Sequence, residues 1–87
     1  MSALVLRRVE RERMAAGGTV VLEAYLDGRF VGWVGDGRRW TGFRYGARRW
    51  WACHREDGDQ HARWTSELLP TRAGAIDALA ERLRVPT

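Results

Sequence analysis

Lysine is absent from the 87 residues: all fifteen basic side chains are arginine. Every positive group is therefore a planar fork suited to phosphate, carboxylate and aromatic faces. Cysteine is scarce. The single Cys53 excludes an internal disulfide framework and a cysteine-based zinc cluster, and it fits a reducing compartment such as the cytoplasm. Long apolar runs are missing too, and none approaches the roughly 20 residues of a membrane span. The apolar stretch in Met1–Arg8 is too short for a signal peptide. No Ser-His-Asp or Cys-His arrangement is evident, and Gly35-Asp36-Gly37 does not extend to a phosphate-loop pattern. The expectation is a protein that is not an enzyme and needs no cofactor.

What is present is a small basic domain. The net charge is +4 and the isoelectric point about 10.5, a balance that leans toward an anionic partner. The apolar fraction of 45% and charged fraction of 30% are ordinary for a globular chain. A chain this short has one core and little room for a deep cleft.

Turn signals divide the middle of the chain. Asp27-Gly28, Asp36-Gly37, Gly46-Ala47 and Asp57-Gly58 recur about every ten residues, and Asp-Gly between apolar runs is a strong hairpin signal. The runs between them predict five antiparallel strands in a meander: Thr19–Leu26, Arg29–Gly35, Arg38–Tyr45, Arg48–Arg55 and Gln60–Leu68. A helix follows. Thr71 is a good N-cap, Ile76, Leu79, Ala80 and Leu83 share one stripe, Arg82 and Arg84 suit the C-terminal dipole, and Pro86 stops the helix. Residues 3–13 fit an edge strand or a short helix, with the edge strand favoured, joined through Ala15-Ala16-Gly17-Gly18. The predicted class is α+β: a five- or six-stranded antiparallel meander on one C-terminal helix. Residues 1–18 form an edge strand or flexible segment, and residues 19–87 the sheet-plus-helix domain.

Two-residue turns fix the registers and hence the faces. One face collects Val20, Leu22, Ala24, Val31, Trp33, Trp40, Trp51, Cys53, Ala62 and Trp64. This is the predicted core, covered by the helix. The opposite face carries a row of Tyr25, Phe30, Phe43, Trp50 and Thr65, then a row of Glu23, Gly32, Thr41, Ala52 and Arg63, then Val21, Val34, Arg39, His54 and His61. The aromatic row reads either as cross-strand structural pairing or as an exposed platform for a ligand, with the small residues beside it letting that ligand approach the backbone.

Arg38, Arg39, Arg44, Arg48, Arg49 and Arg55 lie in a stretch without Asp or Glu, interleaved with Trp40, Phe43, Tyr45, Trp50 and Trp51. Phosphate contact together with base contact or stacking calls for this mixture. The bland alternative is a solvated edge of turn arginines. His54 opposes His61 in the predicted register, near Asp57 and Asp59, but a third metal ligand is wanting, so no metal is expected. Cys53 falls on the core face as a small hydrophobe.

The segment Arg49-Trp50-Trp51-Ala52, an acidic glycine turn, Arg63-Trp64, and Leu69-Pro70-Thr71-Arg72 leading to Ala75 and Leu79 resembles the AP2-type DNA-binding domain. It is similar also to the sheet-plus-helix domain at the N-terminus of tyrosine recombinases, the phage integrases. The resemblance spans residues 38–83 and implies a helix-free sheet face laid in the DNA major groove. Arg39, Thr41, Phe43, Trp50, Ala52, Arg63 and Thr65 would face DNA by that likeness. Two additional strands and the N-terminal segment depart from the pattern. The sequence thus points to a nucleic-acid-binding module of phage, plasmid or regulatory type, with duplex DNA as partner. Its expected site is Arg39, Thr41, Phe43, Arg44, Arg48, Arg49, Trp50, Arg63 and Thr65. The alternative is a protein-interaction module, an inhibitor or adaptor, using the same aromatic-Arg face or a sheet edge.

Overall fold

A computed structural model describes residues 3–8 and 20–84. Five strands form one antiparallel sheet in chain order: β1 Leu4–Arg8, β2 Val21–Leu26, β3 Arg29–Trp40, β4 Tyr45–His54 and β5 Trp64–Thr65. One helix, α1 Arg72–Arg82, crosses β4 and β3. The expected α+β meander on a C-terminal helix is the observed architecture. The N-terminal segment supplies the edge strand β1, with Leu6 opposite Ala24. The Ala15-Ala16-Gly17-Gly18 joint and Pro86 lie outside the described residues. Among the described residues no helix is long and apolar enough to cross a membrane.

The first hairpin forms as its sequence dictates. Asp27 and Gly28 both adopt positive φ, 53° and 78°, as a type I′ turn requires. Leu26 then faces Arg29 and Tyr25 faces Phe30, but the next pair is Ala24 with Gly32. Val31 is the extra residue, a bulge that turns its side chain into the core, where it is fully buried. The bulge corrects the predicted register. Leu22 now opposes Val34, and Trp33 moves to the face away from the helix. Gly32 makes this possible: its φ is +153°, and a Cβ there would collide with the Cys53 carbonyl oxygen.

Asp36-Gly37 is not a turn. β3 runs straight through it for twelve residues, so the predicted strands Arg29–Gly35 and Arg38–Tyr45 merge. The reason is tertiary. The Asp36 side chain is buried and its carboxylate accepts the Val20 N–H at 2.7 Å and the Arg48 Nε–H at 3.0 Å. Its carbonyl accepts Trp51 Nε1–H at 3.1 Å. These partners outweigh the local turn preference. The chain reverses instead at Thr41–Arg44, before β4 begins at Tyr45.

The last predicted strand also contracts. His54 pairs with Trp64 and Cys53 with Thr65, correcting the expected pairing of His54 with His61. Beyond β5 the chain keeps to β4 through Ser66 N–H to the Ala52 carbonyl and reciprocal Trp50–Leu69 bonds of 2.8 and 2.7 Å.

The core lies between sheet and helix: Leu22, Ala24, Val31, Val34 and Ala52 against Ala75 and Leu79. Leu4, Leu6, Trp50, Trp64, Ile76 and Leu83 close its rim. Thr71 caps the helix by accepting the Gly74 N–H at 3.0 Å. The four-tryptophan core expected from the ideal registers does not form. Trp64 packs on the core, Trp33 and Trp51 take the other face with Cys53, and Trp40 is 55% exposed. Trp50 takes the place on the helix side that Trp51 was expected to hold.

Candidate nucleic-acid interface

β3 and β4 outrun the rest of the sheet. From Arg38 to Arg49 every residue is exposed except Gly46, and the molecule measures 45 × 25 × 21 Å. The protruding part is a two-stranded ribbon, here called the arm. It carries five arginines, 38, 39, 44, 48 and 49, and no acidic residue.

The base of the arm is pinned. Asp36 ties Arg48 to the N–H of Val20, and the Arg48 guanidinium lies 4.6 Å from the ring centre of Trp50. Arg38 donates across the ribbon to the Gly46 carbonyl at 3.1 Å. The pairing slips by one residue between Arg38 and Trp40, which brings Trp40 opposite Tyr45. Their rings meet edge to face at 5.0 Å. At the tip, Thr41 N–H and Oγ1–H both donate to the Arg44 carbonyl, at 3.0 and 2.8 Å, and Arg44 N–H returns a bond to Thr41 Oγ1 at 3.3 Å. Phe43 lies within this turn and its side chain is 86% exposed. Among the described residues, Arg39, Arg44 and Arg49 have no carboxylate partner.

A second charged cluster occupies the loop between β4 and β5. Arg63 donates to Glu56 at 2.9 Å and to Asp59 at 2.8 Å. Arg29 lies 3.6 Å from Glu56, and Arg55 donates twice to the Asp59 carbonyl. The Arg55 guanidinium covers Trp33 at 5.3 Å. His54 Nε2–H donates to Glu56 at 2.9 Å, since a carboxylate only accepts. That bond, aided by Arg63 and Arg29, holds the Glu56 carboxyl below its usual range. The Glu56 N–H and then Arg63 do the same for Asp59, and Asp59 in turn raises Arg63. Burial pushes the Cys53 thiol up, which keeps it protonated and poorly nucleophilic. Among the described residues no three His, Cys, Asp or Glu side chains gather as a metal site.

The expected site residues therefore separate. Arg39, Thr41, Phe43, Arg44, Arg48 and Arg49 come together on the arm. Trp50 is half-buried on the helix side of the sheet. Arg63 is bound into the loop cluster by two carboxylates. Thr65 is exposed, paired with Cys53. The expected aromatic row does not exist as drawn: Tyr25 and Phe30 touch at 5.9 Å, but their continuation is Trp33, 5.1 Å from Phe30. Trp40 and Tyr45 were missing from the expected site. Their signal was the acid-free stretch itself, with aromatics on both sides of Thr41-Gly42. No family model matches the chain, and no curated protein or solved structure matches it.

Proposed function

We propose that this chain is a small nucleic-acid-binding module that takes duplex DNA with its arm. The observation that carries the reading is the arm's composition and shape. It is a protruding two-stranded ribbon with five arginines, three exposed aromatic rings and no carboxylate after the buried Asp36. A two-stranded ribbon fits the major groove. Arginines along it reach phosphates on both walls, which supplies affinity and register without sequence choice. Of the five arm arginines only Arg48 is bound to a carboxylate of the described residues and Arg38 is tied to the Gly46 carbonyl, which leaves the guanidinium groups of Arg39, Arg44 and Arg49 for phosphate. Arg48 contributes from the base while held by Asp36. Thr41 acts by fixing the turn.

This reading moves the contact from the helix-free sheet face, which the AP2-type resemblance implies, to the end of one hairpin. Arg63 and Trp50 drop out of the footprint because each is already engaged within the fold. A retardation assay with duplex DNA, single-stranded DNA and RNA over a salt series tests it. Duplex binding that weakens steeply with salt supports the proposal. No binding at low salt, or affinity for a protein partner that salt leaves unchanged, favours the adaptor alternative.

A further inference from the structure

Phe43 is the most exposed large apolar side chain among the described residues. Turn positions ordinarily go to Gly, Asn, Asp, Ser or Pro, and an aromatic ring left in water forgoes the burial that makes aromatic contacts favourable. The ring is nevertheless held on a fixed base, because the three bonds between Thr41 and Arg44 tie the turn on either side of it. From the buried Asp36 to Thr41 the strand rises about 16 Å at about 3.3 Å a residue. DNA grooves are about 7.5–8.5 Å deep. An arm of this length is long enough for its tip to reach the bases of a groove while Arg38, Arg39, Arg48 and Arg49, set behind the turn, stay at phosphate level.

We infer that Phe43 is a wedge: resting on the arm reading above, it enters a base step of the bound duplex, partly unstacks it and bends the DNA. Minor-groove proteins kink the duplex by inserting apolar side chains between base steps, and Phe43 would do the same from the major-groove side that takes the arm. The wedge selects sequence by deformability rather than by hydrogen bonds to base edges. Pyrimidine–purine steps such as TA and CA/TG open most easily, so sites centred on them bind best.

The test uses the full chain and short duplexes with a fluorescence-transfer pair at their ends, differing only in a central TA or AA step. Anisotropy reads affinity and energy transfer reads the bend. The wild type binds both, raises transfer, and prefers the TA duplex by about threefold to tenfold. Phe43→Ala keeps the salt dependence but loses the transfer gain and the TA preference. Phe43→Leu retains both in part, and it keeps the inference testable should the alanine variant bind too weakly to read. Wild-type binding without a change in transfer, or an equal bend with Phe43→Ala, overturns the wedge and leaves the arm reading standing. Absence of duplex binding by the wild type at low salt overturns both.

Discussion

Trp51 and Gly35 are cross-strand partners, and the Trp51 indole occupies the space that a side chain at position 35 would need. A Cβ on residue 35 would lie 2.5 Å from Trp51 Cζ2. The indole is also anchored by its N–H to the Asp36 carbonyl, so it cannot swing aside freely. Gly35→Ala is expected to lower stability by about 1–3 kcal/mol through overpacking, read from the urea midpoint at unchanged m-value. Gly32→Ala, which meets backbone rather than a side chain, is expected to cost more. Two variants that behave like wild type would show that this close contact is not maintained in solution.

Asp36 joins the body of the sheet to the arm. Asp36→Ala leaves the Val20 N–H without its carboxylate acceptor and frees Arg48, an expected loss of about 2–3 kcal/mol. Hydrogen exchange should show the arm amides between Gly37 and Arg49 opening faster than those of β2 and the rest of β4. Unchanged arm protection would mean that the ribbon holds its shape without this anchor.

These two residues also show what the sequence made legible. The Asp27-Gly28 turn, the Thr71 cap and the helix stripe rest on local chemistry, and they form as read. Asp36-Gly37 carries the same dipeptide signal as Asp27-Gly28, yet it lies mid-strand, because Val20, Arg48 and Trp51 satisfy its polar groups from distant parts of the chain. The only local trace of the Val31 bulge is the neighbouring Gly32, and a glycine inside a strand does not say which residue is the extra one. A single extra residue reverses every later side chain on its strand, which moved Trp33 out of the expected core and broke up the aromatic row. The basic stretch was legible as composition, and its arrangement as a protruding arm followed from the turn at Thr41–Arg44.

The loop cluster makes stability sensitive to acid. Glu56 and Asp59 hold their protons less tightly folded than unfolded. Their contribution is therefore present above the ordinary carboxylate range, about pH 4, and is lost as pH falls through the lower folded values. Glu56→Gln with Asp59→Asn should flatten the fall of thermal midpoint with decreasing pH and lower the midpoint near neutrality. A double variant with the wild-type pH profile would remove this cluster from the acid response.

The salt dependence of duplex affinity decides whether the arm carries the nucleic-acid contact. Arg39, Arg44 and Arg49 are replaced together by Gln, and the slope of log affinity against log salt is compared with that of the wild type. Each phosphate contact contributes about 0.9 to that slope. The expected result is a slope flatter by about 2–3, with weaker binding and an unchanged unfolding midpoint. An unchanged slope and affinity in the triple variant would place the contact elsewhere on the protein.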